Sequence, residues 1–370
     1  MRRARVAAIA ALALALGALE RPPSGAAEKD SRSFTVLEPL MLAPGVSGRE
    51  EKVREAILRL LPAWARQSAT VDGSGNLLVR TGSGGERILF IAHMDETGYE
   101  ITGLEADGTA RVKSLGGFFA TLYEAQRVVV HTRAGELAAI VRPRSDYLDA
   151  RSAAAPFLEK DLTVDFGTST LEETRQLGVS RGDWITIPKI FRRLAGDRAT
   201  GRSVDDRAGC TALVQAIGRL DPKSLKNRVT FAWSVQEEIG LKGAEAIAAH
   251  DPFDVVFAVD TFVSSDSPLE TPAFADAILG EGPVLRAMDN SNLAPEAGLE
   301  KVERIAAARK LPLQIGLTHG GNDGSVFPPY GAIDIPLSWP TTYSHSPVEV
   351  IHQRDLDNLG RLVAILAEEW

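Results

Sequence analysis

The chain has 370 residues, of which 44% are hydrophobic, and its 41 basic and 49 acidic side chains give a net charge of −8. This composition is that of a globular protein with one large domain or two ordinary ones. The acidic balance argues against general nucleic-acid binding. The only cysteine is Cys210, which excludes an intramolecular disulfide bond.

The first 26 residues have the layout of a secretory signal peptide. Arg2, Arg3 and Arg5 form a basic start, and the apolar segment 6–19 is followed by small residues. The apolar run is short for a membrane span, and an uncleaved N-terminal anchor is the alternative interpretation. The sequence therefore predicts a signal peptide over 1–26 and an exported protein, periplasmic or extracellular, without membrane attachment in its mature form.

The next stretch has the pattern of an α/β fold. Ser47 with Glu50 three residues later is typical of a capping box and predicts a helix over 50–61. Strands are predicted over 77–80 and 88–92 because both runs are short and apolar.

The pattern of hydrophobic and polar residues changes between residues 99 and 195. Short alternating segments are separated by glycine-containing turns, which is typical of a small all-β module. We therefore predict a discontinuous α/β domain over 30–98 and 196–370, with the β module inserted over 99–195.

The α/β pattern returns at Asp205 and Asp206, which precede a helical pattern over 208–220. One of these aspartates is expected to cap the helix, and the other is then free for another task. Further on, the apolar strand 229–235 runs directly into charged residues.

Ionisable side chains stand where the buried strands end and where one helix begins: His93 and Asp95, Glu237 and Glu238, Asp260, His345, and Asp205. Imidazole and carboxylate ligands without a thiolate suit zinc, cobalt or manganese, and they suit hydrolysis. The set is large enough for two ions that share a bridging carboxylate and activate a water, with one carboxylate left as general base. From the residues alone, either Glu237 or Glu238 could be the base and the other a ligand.

Six motifs make the interpretation more specific: AHMDETGYE, SVDDRAGC, SVQEEIGLKGA, AVD, THGGNDGS and TTYSHSPVEV. In this order they resemble the TET-type aminopeptidases, a dinuclear-metal family of glutamyl and deblocking aminopeptidases in which some members are labelled endoglucanase. The resemblance extends from about residue 34 to the C-terminus. Most members of that family are cytoplasmic, so a signal peptide would be atypical.

The resemblance implies a role for each of these residues. His93 and Asp260 would hold one metal ion, Glu238 and His345 the other, and Asp205 would bridge them. Glu237 would be the general base, and Asp95 would orient His93. One departure is the loop before Asp323, which has an asparagine where the family more often has a threonine.

The resemblance also implies an architecture and partners. The expected fold is a three-layer α/β/α metallopeptidase domain with an inserted, barrel-like dimerisation domain. The expected substrates are peptides, and the expected assembly is a homo-oligomer, either a dimer or a twelve-subunit shell.

Lysines and arginines in the region 280–310 could meet an acidic substrate side chain, but the sequence does not fix the direction in which these side chains point.

Two other functions agree less well with the sequence. A glycoside hydrolase needs two carboxylates about 5–9.5 Å apart and no metal, which leaves the two histidines and the other acidic residues without a role. A catalytically inactive, peptidase-like binding module tends to lose ligands, whereas every predicted ligand is present here. The sequence therefore favours a metal-dependent aminopeptidase.

Overall fold

The computed structural model describes residues 32–144, 160, 162–264 and 277–370. The predicted signal peptide over 1–26 lies outside these residues. Within the described ranges, no helix is both long enough and apolar enough to cross a membrane.

The helices are α1 (Arg32–Leu42), α2 (Glu51–Leu60), α3 (Ala63–Ser68), α4 (Leu171–Gln176), α5 (Val204–Ile217), α6 (Lys242–His250), α7 (Glu296–Ala308) and α8 (Gln353–Glu369). The strands are β1 (Thr70–Val71), β2 (Leu77–Thr81), β3 (Arg87–His93), β4 (Gly98–Leu104), β5 (Ala110–Leu115), β6 (Arg127–Thr132), β7 (Gly135–Val141), β8 (Thr163–Asp165), β9 (Trp184–Thr186), β10 (Phe191–Leu194), β11 (Arg198–Gly201), β12 (Arg228–Ser234), β13 (Val255–Val263), β14 (Val284–Met288), β15 (Gln314–Leu317), β16 (Ile333–Asp334), β17 (Leu337–Thr342) and β18 (Glu349–His352).

A large mixed sheet forms the centre of the fold. Its strand order is β1-β2-β12-β3-β13-β17-β18-β11-β10. In addition, β14 pairs with β17 and with β15, and β16 pairs with β13. The four neighbouring strands β12, β3, β13 and β17 run parallel. Because parallel strands end at the same edge of a sheet, the residues that follow these four strands lie close together.

Strand β3 shows why the sheet has a helical layer on each face. Ile88, Phe90 and Ala92 pack into one hydrophobic cluster, together with residues of α1, α2, α5, α7 and α8. Leu89 and Ile91 pack into a second cluster, together with residues of α6. A parallel strand buried on both faces has no polar alternation, which explains the continuous apolar run in its sequence. The predicted three-layer α/β fold is confirmed.

The second structural unit is a closed barrel with the strand order β4-β5-β8-β7-β6-β9. All its strand pairs are antiparallel, and its core includes Ile101, Val130, Val164 and Ile185. Its strands occupy the chain region that the sequence assigns to an inserted β module, so the predicted all-β character is confirmed. The proposed domain limits of 30–98, 99–195 and 196–370 stay a prediction.

The predicted capping box before α2 is wrong. Helix α2 begins at Glu51, and its N-cap residue Glu50 makes no side-chain capping hydrogen bond. Glu50 instead accepts hydrogen bonds from the backbone N–H groups of Gly48 (2.7 Å) and Gln236 (3.0 Å). The Ser47 hydroxyl is also engaged elsewhere, in the site described next, because tertiary partners compete with the local cap.

Candidate metal centre

Residues from four parallel strands and one helix line a single cavity of about 870 Å³. The lining includes His93 at the end of β3, Glu237 and Glu238 after β12, Asp260 within β13, His345 after β17, and Asp205 in the first turn of α5. The structure therefore brings together all the ligands and the base that the sequence predicts.

His93 presents its two ring nitrogens to different partners. Its Nδ1 lies 3.2 Å from the carbonyl oxygen of Asp95 and 3.5 Å from Asp95 Oδ1, whereas its Nε2 lies 3.2 Å from Asp205 Oδ1. A carbonyl oxygen only accepts, so the first contact requires the proton on Nδ1. The lone pair of a neutral His93 then points from Nε2 into the cavity, which is the arrangement of a metal-ligating imidazole.

Asp205 stands between the two predicted imidazole ligands. Its Oδ1 faces His93, and its Oδ2 lies 3.4 Å from His345 Nε2 and accepts a hydrogen bond from Ser344 Oγ (3.2 Å). His345 Nε2 also lies 3.5 Å from Glu238 Oε1. Ligand atoms of His93, Asp205 and Glu238 all lie within 4.8 Å of one another. The Asp205 carboxylate thus lies between His93 on one side and His345 with Glu238 on the other.

Asp95 lies behind this cluster and is fully buried. It accepts hydrogen bonds from Ser47 Oγ (2.6 Å) and from the backbone N–H groups of Glu237 (3.0 Å) and Glu238 (3.2 Å). The same carboxylate contacts His93 Nδ1. Asp95 therefore connects the end of β3 to the end of β12, and the Ser47 hydroxyl helps to fix its orientation.

Asp206 and Cys210 tie α5 to the end of β3. The backbone of α5 is non-helical at Asp205 and Asp206, and Asp206 Oδ1 caps the helix that follows by accepting the backbone N–H of Gly209 (2.9 Å), which is the predicted role. Its Oδ2 accepts the backbone N–H of His93 (2.9 Å). The thiol of Cys210 donates to the carbonyl oxygen of His93 (3.1 Å). These contacts hold Asp205 beside His93.

Three acidic side chains of the cluster resist ionisation. Burial, together with the nearby Asp260 carboxylate, raises the pKa of Glu237 well above its usual range. Burial and Asp205 raise the pKa of Glu238 to about 7 and that of Asp260 to about 6. Buried carboxylates that repel one another in this way require protons or cations for neutralisation.

The neighbouring carboxylates raise the pKa of the His345 imidazole. Burial alone would lower the pKa of His345, but Glu238 and Asp205 outweigh it and raise the pKa to about 10. Burial would raise the pKa of Asp205, but the imidazoles of His345 and His93 beside it lower that pKa. Among the described residues, buried Glu238 Oε1 has no hydrogen-bond donor. A nitrogen and oxygen donor set with surplus negative charge fits divalent cations.

Four apolar lining residues were not singled out by the sequence. Phe118 and Phe119, in the segment after β5 of the barrel, form part of the cavity wall, as do Leu241 and Val263. In the sequence these apolar residues resemble residues of the hydrophobic core, so nothing distinguishes them as residues that line the cavity. His319 also lines the cavity.

Arg286 is the one lysine or arginine among the described residues that line the cavity. Its guanidinium is already engaged. Its Nη1 donates to the carbonyl of Thr261 (3.1 Å), its Nη2 donates to the carbonyls of His319 (3.2 Å) and Gly321 (3.0 Å), and its Nε lies 2.8 Å from Asp289 Oδ2. This settles the direction of one basic residue from the region 280–310, because Arg286 faces internal partners.

Comparison with known proteins identifies the family. A sequence model of the M42 glutamyl aminopeptidases matches residues 75–362, which include every predicted site residue. The chain belongs to this family. It is therefore an aminopeptidase, a hydrolase, and the resemblance that its sequence motifs indicate is confirmed.

Relatives of this aminopeptidase are similar over most of their length. The lysyl aminopeptidase of Pyrococcus furiosus is 29% identical over 91% of this chain and 97% of its own, and the glutamyl aminopeptidase of Lactococcus lactis is 29% identical over 78% and 82%. The TET1 peptidase of Pyrococcus horikoshii, described as assembling into a tetrahedron or a large octahedral shell, is 38% identical with a TM-score of 0.84, covering 91% of this chain and 100% of its own.

The prediction that the protein is exported is wrong. It rested on residues 1–26, which lie outside the described part of the chain. The comparisons instead match the chain to TET peptidases over 91% of its length, and they give no support to the labels secreted, periplasmic and signal peptide. A basic, apolar N-terminal pattern is a compositional signal, and the family match over residues 75–362 does not extend to it.

Proposed function

We propose that this aminopeptidase is metal-dependent and removes N-terminal residues from peptides, with two divalent cations and Glu237 as the general base. The observation that carries the proposal is the position of Asp205, whose two oxygens lie 3.2 and 3.4 Å from the imidazoles of His93 and His345. A buried carboxylate placed between two imidazoles, with further carboxylates around it, is suited to two neighbouring cations.

The residues that would hold the ions divide into two groups around Asp205. His93 and Asp260 would hold one ion, Glu238 and His345 would hold the other, and Asp205 would contribute to both. Zinc suits these ligands best, and cobalt or manganese would also fit. When bound, such ions supply Lewis-acid polarisation of a peptide carbonyl and make water more acidic.

Glu237 has the environment expected of the proton-transferring group. Its side chain is 13% exposed and lines the cavity, with Oε2 lying 3.9 Å from His93 Nε2. Glu238 is more deeply buried, at 5% exposure, and faces His345. This difference supports Glu237 as the base and Glu238 as the ligand. Glu237 would take a proton from the attacking water and deliver it to the leaving amine.

The proposal is tested by metal removal and replacement. Dialysis against a strong chelator is expected to abolish hydrolysis of aminoacyl nitroanilides, and reloading with zinc, cobalt or manganese should restore it. Activity on peptides that survives complete chelation would contradict the proposal. Cellulose hydrolysis that survives chelation would favour a glycoside hydrolase, and absence of turnover with every metal would favour an inactive binding module.

The substrate side chain is expected to be uncharged. Phe118, Phe119, Leu241 and Val263 give the cavity an apolar wall, and the engaged guanidinium of Arg286 is not available to pair with a substrate carboxylate. An acidic N-terminal side chain would lose hydration without gaining a free lysine or arginine partner among the described residues of the lining.

We therefore expect kcat/KM for leucyl and phenylalanyl nitroanilides to exceed that for glutamyl nitroanilide by about tenfold or more. Leu241→Arg should narrow this ratio, because it adds a cation to the wall. Leu194→Arg, at an exposed position of β10, is the matched control and should leave the ratio unchanged. A wild-type preference for glutamyl substrates would show that the assignment is wrong.

We also propose that the protein forms a homo-oligomer, a dimer or a larger shell such as a dodecamer. The support is the similarity to the TET1 peptidase, which is described as assembling into shells. The barrel is the proposed dimerisation module. Light scattering of the purified protein distinguishes a dimer from a shell, and a monomer would contradict the proposal.

A further inference from the structure

His345 has a backbone conformation that most residues avoid. Its φ angle is +57°, and that of the nearby Tyr343 is +64°. Both lie in the left-handed region, which a side chain with a Cβ atom rarely adopts without support from its surroundings. Contacts from other parts of the chain must therefore hold the His345 backbone in this conformation.

Two buried side chains hold the His345 backbone from opposite sides. Glu349 Oε1 accepts a hydrogen bond from the His345 N–H (2.9 Å), and the Tyr123 hydroxyl donates to the His345 carbonyl oxygen (3.2 Å). Glu349 is 0% exposed and Tyr123 is 1% exposed. Both polar groups of the residue's own backbone are thus fixed by side chains that do not line the cavity.

Glu349 also holds the start of α5. Its Oε2 accepts the backbone N–H of Val204 (2.6 Å) and lies 3.4 Å from that of Asp205, and its Oε1 accepts from Arg202 Nη1 (3.0 Å). Arg202 compensates the buried negative charge. A single carboxylate therefore fixes the separation between His345 and Asp205.

Tyr123 brings the barrel into this arrangement. It lies just after the 3₁₀ turn Ala120–Leu122 and packs against Tyr99 and Phe118, with ring centroids 5.5 and 4.6 Å away. Phe118 lines the cavity. The barrel thus contributes both a part of the cavity wall and a direct hydrogen bond to the segment that carries His345.

We propose that Glu349 and Tyr123 are positioning residues for the cation site formed by His345 and Glu238. They set the position of the His345 imidazole relative to Asp205, and through Tyr123 the barrel controls the cation affinity of that half of the centre. The inference rests on the proposed role of His345 as a ligand. Partners that orient a metal ligand commonly change metal affinity by about 10- to 100-fold when they are removed.

The test is a zinc titration of the metal-free protein by calorimetry, without substrate. Tyr123→Phe keeps the aromatic ring and removes the hydroxyl, so one of the two binding steps should weaken by about tenfold and the other should stay unchanged. Tyr99→Phe is the matched control, because it changes the same aromatic cluster without removing the hydrogen bond to His345. Both steps should match wild type in that variant.

Glu349→Gln is expected to weaken the same step by up to about 100-fold, because it disturbs both His345 and the start of α5. The other step should weaken less, since it depends on Asp205 but not on His345. If this variant does not fold, Tyr123→Phe decides the question. Equal weakening of both steps would indicate general loosening and would overturn the proposal, as would unchanged affinities in folded variants. If the His345→Ala variant keeps both binding steps, His345 is not a ligand, and the inference fails together with that assignment. The proposed function is tested separately, by turnover of the wild-type protein.

Discussion

Replacing Glu237 by glutamine is expected to remove nearly all peptide hydrolysis while leaving the metal content unchanged. Glutamine has the same shape but does not accept a proton from water, and general base catalysis contributes about 10²- to 10⁴-fold to such reactions. We expect kcat to fall by about that factor with little change in KM. Steady-state hydrolysis of aminoacyl nitroanilides and elemental analysis of the same sample provide the two measurements.

Glu245→Gln is the matched control for this variant. Glu245 lies on α6 and is exposed, so the same chemical change there should leave both turnover and metal content at wild-type values. Wild-type turnover of Glu237→Gln would show that Glu237 is not the base. Loss of metal from that variant would instead identify Glu237 as a ligand and make Glu238 the candidate base.

Asp205→Asn should have the largest effect on metal binding. Because its two carboxylate oxygens face His93 and His345 separately, Asp205 is the residue expected to serve both cations. The metal content should fall from about two ions per subunit to nearly none, and turnover should be lost with it. His345→Ala should release only one ion, since His93 and Asp260 remain.

Elemental analysis after dialysis separates these two results. Asp251→Asn, at the C-terminal end of α6 and outside the cavity lining, is the control that makes the same substitution away from the centre. Retention of both ions by Asp205→Asn would exclude the bridging role. Loss of both ions from His345→Ala would show that the two positions do not bind independently.

The sequence predicted the centre of the fold because apolar runs and parallel strands leave a clear pattern. Near the C-terminus, the apolar run 333–337 by itself indicates a single last strand, and the structure shows that this interpretation is wrong. The structure has β16 and β17 there, separated around Pro336, and then β18. Proline lacks the N–H that a sheet ladder needs, but the sequence does not show on which side of it pairing resumes.

The site was predictable where its residues directly follow strands, as His93 and Glu237 do. Its supporting contacts were not, because the partners are distant along the chain. Tyr123 and His345 are 222 residues apart, and Ser47 and Asp95 are 48 residues apart. Ser47 had a plausible local role as a helix cap, and only the tertiary structure shows that its hydroxyl serves Asp95 instead.

The hydrogen bond from Cys210 to the His93 carbonyl has a consequence for the chemical durability of the enzyme. The sulfur is buried, and burial raises the pKa of the thiol, so little thiolate is available to react. With no other cysteine in the chain, neither oxidants nor reductants have an accessible thiol target. Thiol oxidation should therefore leave the proposed catalytic centre unchanged.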